Sequence, residues 1–385
     1  MKIVYHHRAQ SDSPRIHIRE IVRAFQNLGH EVEVVSLVRR QRGVLWKKAI
    51  RMIPFAYEVA QLGYNLIGIP MLLARALGTN ADFLYERYAL FNFAGVLTAK
   101  LCRIPIMLEV NSPLALEQIH DKGIRGIRFA AWCESLICNM ATRVIVVSKP
   151  LARLMESSGV APARIEVIPN GVSLEDFRPD AIIPDFRQRL GIPLRQRLGL
   201  SDHFVIGFAG RFGAWNGLEL LLEAFLRSNL SRKRVKVLLI GDGPAMKDLR
   251  RFVKQHKLAD SVLFTGPLPH ADVPRYLDLL DVAVQPAANE YCCPMTILEY
   301  MALGKPVVAP AQENIQELLS EEEAVFFTPG DVQSLSTALQ MMADNREQSR
   351  EMGRKAKAAI RTRGFLWSVN ARRIVAMATC PSPNC

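Results

Sequence analysis

Short apolar runs alternate with segments of helical periodicity along the first 170 residues of the chain. The run Lys2–Tyr5 is followed by apolar residues at helical spacing over Ile16–Leu28, and Gly29 ends that helix. A later helix begins after Ser148, a favoured N-cap residue. Further strands are predicted at Glu31–Leu37, Asp82–Glu86, Pro105–Val110, Arg143–Val147 and Glu166–Ile168. Strands that alternate with helices indicate a parallel sheet covered on both faces.

The same alternation begins again after a segment rich in turn-forming residues. Residues 169–200 contain Asn170–Gly171 and four prolines, which predicts a linker. Strands are then predicted at Val205–Phe208, Val235–Ile240, Val262–Thr265, Asp281–Gln285 and Pro306–Ala309. The sequence therefore predicts two doubly wound, Rossmann-like α/β domains, over residues 1–172 and 173–360, with a last amphipathic helix in 361–385. Because such sheets bind ligands beyond the carboxyl ends of their strands, we expect the site in a cleft that the two domains face.

Charge and cysteine content narrow the classes of partner. The 385 residues have a formal net charge of +12, which favours nucleic acid, anionic lipid or phosphorylated small molecules. The basic residues are spread along the chain and no recognition motif accompanies them, so nucleic acid is not expected. The seven cysteines include no CxxC pair, which predicts neither a disulfide framework nor a zinc site and favours a reducing cytoplasm.

Residues 39–77 combine basic and apolar character. Six Arg and Lys residues lie between Arg39 and Arg51, and a long apolar stretch follows. Glu58, Asn65 and Pro70 interrupt that stretch, so it does not fit the ~20 apolar residues of a membrane span. Two interpretations stay open: an interfacial segment on an anionic leaflet, or a buried helical hairpin of the first domain.

Three predicted strand ends in the second half have residues suited to a phosphorylated ligand. The first is the glycine-rich turn Gly210–Gly217 with Arg211, and the second is Gly241–Pro244. The third is Glu290–Pro310, where Pro294 begins a helix whose N-terminus favours an anion and whose Glu299 could accept hydrogen bonds from a diol. Taken singly, these features also fit an ordinary strand–helix turn, a surface arginine and a helix-stabilising acid.

Six short motifs together resemble glycosyltransferase family 4, whose members are retaining enzymes with the two-domain GT-B fold. They occur in the family's order and approximate spacing: Val144–Ser148, Glu166–Val172, Gly210–Arg211, Ile240–Pro244, Leu263–Gly266 and Glu299–Val308. In the first half, Tyr85–Phe91 and Leu108–Leu114 resemble a bacterial subgroup that acts in surface polysaccharide assembly. The resemblance also implies that the C-terminal helix crosses back to the first domain.

The resemblance assigns roles to named residues. Glu299 would hold the ribose of the donor nucleotide, and Arg211 would neutralise its diphosphate. Tyr291 falls at the first position of the family's Glu-x7-Glu motif, and Glu290 lies one residue before it. The expected catalytic residues are therefore Arg211, Glu290, Tyr291 and Glu299. Donor-binding positions would be Gly210, Asn216, Gly241, Gly266, Cys293, Pro294, Met295 and Thr296. No metal or cofactor is expected, because cationic groups and the helix terminus would stabilise the leaving diphosphate.

The sequence departs from the family pattern at several positions. Tyr291 stands eight residues before Glu299, with Glu290 one residue off, while Asn216 and Thr296 stand where lysines are frequent. The family's histidine after the middle strand of the first domain is absent. Glu109 and Asn111 occupy that end, and with His6 and His7 they are expected to line the acceptor side.

These features predict an enzyme that transfers a sugar from a UDP- or GDP-linked donor to a glycan or lipid-linked acceptor with retention. We expect the enzyme to act in bacterial cell-surface polysaccharide biosynthesis and to lie in the cytoplasm. Whether 39–77 also makes peripheral contact with the inner face of the membrane stays open. The departures at Asn216 and Thr296 support an alternative: a weak or inactive nucleotide-sugar-binding scaffold of the same fold.

Overall fold

The chain divides into two compact units. A computed structural model describes residues 1–8, 12–36, 55–117, 126–177 and 194–380. One unit comprises Met1–Pro169 with Trp367–Cys385, and the other comprises Asn170–Leu366. The chain thus passes between units after Pro169, where the sequence prediction set the boundary after residue 172. The C-terminal helix, Trp367–Thr379, belongs to the first unit.

The first unit is built on a parallel sheet of six strands in the order β2-β1-β3-β4-β5-β6. The strands are β1 Lys2–His6, β2 Glu31–Val35, β3 Phe83–Arg87, β4 Ile106–Val110, β5 Arg143–Val146 and β6 Ile165–Val167. Because β1 lies between β2 and β3, the chain order reverses beside it, and His6 and Glu86 are partners in register there. Ligands of doubly wound sheets bind at such switch points.

Helices cover this sheet, and Ser148 caps one of them as predicted. They are α1 Asp12–Asn27, α2 Ala56–Gly63, α3 Asn65–Thr79, α4 Ala94–Cys102, α5 Ile127–Met140 and α6 Lys149–Ser157. The Ser148 side chain accepts a hydrogen bond from the backbone N–H of Leu151 at 3.2 Å.

The segment 39–77 is a helix pair over its described part, α2 and α3, while residues 37–54 lie outside the described residues. Asn65 joins the pair to the loop before α4, because its side chain donates to the Phe91 carbonyl at 2.9 Å and accepts from the Phe93 N–H at 2.7 Å. No helix within the described ranges is both long and apolar enough to cross a bilayer.

The second unit has its own parallel sheet of six strands, in the order β12-β11-β10-β7-β8-β9. The strands are β7 Phe204–Ala209, β8 Val235–Ile240, β9 Val262–Phe264, β10 Val282–Val284, β11 Val307–Pro310 and β12 Ala324–Phe327. The order reverses between β7 and β10, which makes their carboxyl ends the switch point of this sheet. The edge strand β12 is an addition to the strands predicted from the sequence.

The helices of the second unit surround an apolar core. They are α7 Leu194–Arg197, α8 Leu218–Arg227, α9 Met246–Gln255, α10 Val273–Leu277, α11 Met295–Ala302, α12 Glu313–Gln316, α13 Val332–Asp344 and α14 Arg346–Thr362. Leu221, Leu222 and Phe225 of α8 belong to one buried apolar cluster with Phe208 and Leu239 of the sheet. This packing fixes the strand ends on which the candidate site is built. Residues 178–193 of the predicted linker lie outside the described residues.

Candidate nucleotide-sugar site

Glycine residues, which have no side chain, follow three neighbouring strands at the carboxyl edge of the second sheet. Gly210, directly after β7, has φ 144°, and Gly241, directly after β8, has φ 128°. A Cβ atom on Gly241 would lie 2.1 Å from the Gly210 carbonyl oxygen, so no larger residue fits there. Gly266, after β9, has φ 72°, and a Cβ atom there would meet no described atom within 4 Å. A ligand can therefore approach the main chain at three adjacent strand ends.

The loop after β7 holds Arg211 at this edge. Its carbonyl oxygen accepts hydrogen bonds from the Gly213 N–H at 2.8 Å and from the Asn216 side-chain amide at 2.7 Å. The Arg211 side chain is exposed and, within the described residues, makes no ion pair with a carboxylate. Asn216 thus braces the loop, and the guanidinium remains available to an anionic ligand.

A buried glutamine joins the two positions where lysines were expected. The Gln285 amide, which follows β10 and is 2% exposed, donates to the Ala287 carbonyl at 2.7 Å and to Asn216 Oδ1 at 3.4 Å. Its oxygen accepts from the Thr296 hydroxyl at 3.2 Å. Asn216 and Thr296 therefore belong to one neutral network across the switch point. Sequence reasoning missed Gln285, although a polar residue that ends a buried strand was a usable signal.

Helix α11 begins at this switch point. Met295 is its first residue and Pro294 its N-cap, one position earlier than the predicted first-turn placement. No side chain in the described part of the chain caps the helix, so its first N–H groups are open to an anion. The Tyr300 hydroxyl accepts a hydrogen bond from the Ala209 N–H at 2.8 Å and so ties the helix to the end of β7. Burial raises the pKa of Tyr300 well above its ordinary value, which keeps the hydroxyl neutral. The neighbouring Glu299 is half-buried.

The loop before α11 is held from several sides. Asn314 donates to the carbonyls of Asn289 and Cys292, at 2.9 and 2.7 Å. Cys293 is buried, its carbonyl accepts from the Asn170 side chain at 2.8 Å, and burial raises the pKa of its thiol to about 12. Cys293 therefore fixes the loop as a neutral thiol. Glu290 is exposed.

Tyr291, at the first position of the Glu-x7-Glu motif, is half-buried, and its hydroxyl accepts from the Asn289 side chain at 3.2 Å. Within the described residues, no group of three or more His, Cys, Asp or Glu is placed to hold a metal ion.

In the first unit, His6 and Glu86 meet at the switch point beside β1. His6 Nδ1 lies 2.5 Å from Glu86 Oε1, and His6 Nε2 lies 2.8 Å from the Tyr64 hydroxyl. The Asn92 amide also donates to Glu86 Oε1. His6 is 1% exposed, whereas Tyr64 is half-buried, so Tyr64 is the more accessible of the two side chains.

Glu109 is the centre of a second polar cluster at the same edge. It accepts hydrogen bonds from Tyr85 at 2.6 Å, from Arg87 at 2.8 Å and from Asn111, and His17 lies 3.4 Å away. Burial alone would raise the pKa of Glu109, but the charges of His17 and Arg87 and these hydrogen bonds lower it, so the carboxylate is ionised.

The four predicted acceptor-side residues differ in exposure. His6 and Glu109 are buried, whereas His7 and Asn111 are half-buried. Burial, together with the charges of His6, Arg87 and Arg15, lowers the pKa of His7 to about 4, so His7 is neutral at pH 7. His7 and Asn111 are therefore the two that an acceptor could touch directly.

Two family models match successive parts of the chain. The model "Glycosyltransferase Family 4" matches residues 15–176, and the model "Glycosyl transferases group 1" matches residues 193–359. Each match covers most of the described part of one unit.

Two curated relatives match about two thirds of the chain, and a solved structure matches nearly all of it. The alpha-D-kanosaminyltransferase of Streptomyces kanamyceticus is 24% identical over 69% of this chain and 68% of its own length. The UDP-Gal:alpha-D-GlcNAc-diphosphoundecaprenol alpha-1,3-galactosyltransferase of Escherichia coli is 26% identical over 69% and 67%. The solved structure of Anabaena HepE in complex with UDP shares the fold, with a TM-score of 0.74 and 19% identity over 99% of this chain and 100% of that one. Two parallel six-stranded sheets, two matching family models and these relatives agree that the chain is a glycosyltransferase of the family 4 type, with the GT-B fold.

Proposed function

We propose that this glycosyltransferase moves a sugar from a UDP- or GDP-linked donor to a glycan or lipid-linked acceptor, with retention of configuration at the anomeric carbon. The second unit would bind the donor and the first unit the acceptor. A nucleotide donor is supported by HepE, whose solved structures contain UDP or UDP-glucose.

The switch point of the second sheet is the observation on which the donor assignment rests. Arg211 presents an exposed guanidinium beside strand ends of bare glycine backbone, and the uncapped start of α11 offers N–H groups to a phosphate. In this proposal Arg211 and α11 stabilise the charge that develops on the leaving diphosphate, and Glu299 accepts hydrogen bonds from the ribose. These groups supply charge stabilisation without a metal ion.

The acceptor class is proposed from the first unit and from one relative. The E. coli relative, by its name, acts on a sugar joined to diphosphoundecaprenol, which is a lipid-linked acceptor. The basic and apolar segment 39–77 would suit such a substrate through peripheral contact with the inner face of the membrane. A role in surface polysaccharide biosynthesis follows from that acceptor class.

A nucleotide panel tests the donor site first. Unfolding would be followed with UDP, GDP, ADP and their glucose, galactose and mannose conjugates, because a ligand at a hundredfold excess over Kd adds about 2.7 kcal/mol of stability. Arg211→Gln should abolish the response to the best nucleotide. Arg232→Gln, at another exposed arginine of the same unit, is the matched control and should leave it intact. No response to any nucleotide would refute the donor assignment.

Turnover is tested separately from binding. The sugar nucleotide that stabilises the protein would be incubated with a polyprenyl-diphosphate sugar and with chelator, and the anomeric configuration of the product read by NMR. Transfer with retention that survives the chelator supports the proposal. Nucleotide binding without transfer or donor hydrolysis would support the alternative of an inactive scaffold. The structural reason for considering that alternative is the neutral Asn216–Gln285–Thr296 network.

A further inference from the structure

Exposed apolar side chains are concentrated in the first unit. Of the thirteen large hydrophobic residues that are exposed within the described ranges, eleven belong to this unit, and only Trp215 and Met341 belong to the second. Where such residues form a contiguous patch, the patch marks an interaction surface.

The helix pair α2–α3 has an inverted distribution of polarity. Its polar residues Glu58 and Asn65 are 5% and 9% exposed, whereas Val59, Leu66 and Ile67 are 66%, 81% and 63% exposed. A helix pair on a water-facing surface normally has the opposite arrangement. The outward face of α2–α3 is therefore suited to an apolar environment.

The start of α5 extends this face with aromatic rings. Phe129 and Trp132 are stacked with ring centroids 5.9 Å apart, and Phe129 also stacks on the buried Phe91 at 5.9 Å. Phe55, one turn before Val59, lies against Gly126, since a Cβ atom there would be 3.6 Å from the Phe55 ring. Phe55, Val59, Phe129 and Trp132 thus form one surface, called here the aromatic surface; each is between 44% and 66% exposed.

The charge of the chain is concentrated in the same unit. The first unit has 24 Lys and Arg against 13 Asp and Glu, and the second has 25 against 24, so eleven of the twelve net positive charges belong to the first. Residues 37–54 contain six Lys and Arg and no acid, and they join the structure at Phe55. Arg125 directly precedes Gly126.

We propose that the aromatic surface rests on an anionic lipid bilayer, with Phe129 and Trp132 entering the interfacial layer. Aromatic side chains favour that layer, and nearby basic residues are attracted to anionic headgroups. The charge argues against a second copy of the chain as the occupant, because two first units brought together would each contribute a net charge of about +11. This lipid contact rests on the peripheral membrane contact of the proposed function. The residues that contact lipid include those of α5, which lies outside 39–77.

Vesicle binding by the full chain tests this proposal without any assay of transfer. Flotation would use phosphatidylcholine vesicles with and without about one third phosphatidylglycerol, at low and high salt. The wild type should float with the anionic vesicles at low salt. The double substitution Phe129→Gln with Trp132→Gln should weaken binding by at least about tenfold, whereas Met341→Gln, at an exposed apolar residue of the second unit, should not.

Fluorescence quenching gives a second readout that does not depend on folding of the double variant. Brominated lipids should quench Trp132 in the bound wild type. The conservative Trp132→Phe should lower the quenching measured at saturating vesicles while binding persists, and the quenching that remains belongs to the other tryptophans, Trp46 of 39–77 among them. No binding to anionic vesicles, or equal binding by the double variant, overturns the proposal. Wild-type self-association that the double variant abolishes would assign the surface to a protein contact and overturns it too. The nucleotide panel reads only the donor site, so failure here leaves that result standing.

Discussion

The hydroxyl of Thr296 donates a hydrogen bond to Gln285 Oε1, 3.2 Å away. Gln285 is buried and its amide reaches Asn216, whose own amide holds the carbonyl of Arg211. The first turn of α11 is therefore linked through one glutamine to the loop that presents Arg211. A family 4 site with lysines at positions 216 and 296 would have cations there. This chain has a network of neutral hydrogen-bonding side chains instead.

Thr296→Val should weaken donor binding, and Thr296→Ser should not. Valine has nearly the same shape but leaves the buried oxygen of Gln285 without its donor, which costs about 1–3 kcal/mol. We expect the Kd for the best nucleotide diphosphate to rise about tenfold by calorimetry. Combined with Asn216→Ala, the effect should be less than additive, since both substitutions break one network. Equal affinities of the Val and Ser variants would show that the network does not organise the donor site.

Glu299→Gln should reduce nucleotide affinity by about 1.5–3 kcal/mol if the carboxylate binds the ribose, because a charge-assisted hydrogen bond is replaced by a neutral one. The 2′-deoxy nucleotide provides an internal test. The wild type should prefer the ribonucleotide, and the preference should shrink in the variant. The measurement is the Kd of both nucleotides for both proteins.

Glu290→Gln is the matched control for Glu299, because Glu290 is exposed in the loop before α11. Its nucleotide Kd should stay within about twofold of the wild type, although sugar transfer could still fall. A large loss of nucleotide affinity in Glu290→Gln would move the ribose contact from the helix to the loop.

The central strands could be predicted from the sequence, and the edge strand could not. Val235–Ile240 was predicted with the bounds that β8 has, because a strand covered on both faces appears as a continuous apolar run. Among the described strands, the edge strand β12, Ala324–Phe327, pairs only with β11. It directly follows the acidic run Glu321–Glu323. A four-residue apolar stretch beside three acids gives no comparable signal.

Residues at the strand ends were identifiable, but their partners were not. Gly210, Arg211 and Gly241 follow apolar runs, which placed them at a sheet edge. The hydrogen bond between Gln285 and Asn216 joins residues 69 positions apart, and the pair His6 and Glu86 is 80 positions apart. Such pairs depend on strand order, and strand order is set by packing of the whole unit.

The direction in which the described part of 39–77, helices α2 and α3, faces also needed the structure. Helical spacing shows which residues share a face, but not which face is buried. Glu58 and Asn65 read as interruptions of an apolar run, and they prove to be on the inner side of α2–α3. Asn65 is buried because its side chain pairs with the backbone before α4.

The stability of the first unit should fall as the pH rises from about 4.5 to about 7, because of Glu134. Burial, partly offset by the hydrogen bond from the Ala115 N–H, raises the pKa of Glu134 to about 7 from 4.5. The folded state therefore binds this proton more tightly than the unfolded state does. The resulting stability is complete below about pH 4.5 and is lost as the pH passes 7, roughly 3 kcal/mol in all. Glu134→Gln should flatten this dependence in urea unfolding followed by Trp fluorescence.

Glu109→Gln should act in the opposite direction. Since His17, Arg87 and the hydrogen bonds outweigh burial and lower the pKa of Glu109, its stabilisation is present above the unfolded pKa and is lost as the pH falls. At pH 7 the Glu109→Gln variant should be less stable than the wild type. At the same pH the Glu134→Gln variant should be the most stable of the three proteins. Identical pH profiles for all three proteins would contradict both assignments.

Gly95→Ala should disrupt the acceptor side without touching the donor site. A Cβ atom on Gly95, in α4, would lie 1.8 Å from Glu86 Oε2 and 3.0 Å from Ile106 Cδ1, so the carboxylate that pairs with His6 must move. We expect a loss of about 1–3 kcal/mol of stability and a rise of about tenfold in the KM for the acceptor, with the nucleotide Kd unchanged. Gly78→Ala, in α3, meets no atom of the described residues within 4 Å and should be neutral or slightly stabilising, because alanine favours the helix. If folded Gly95→Ala protein keeps the wild-type acceptor KM, the His6–Glu86 edge has no part in acceptor binding.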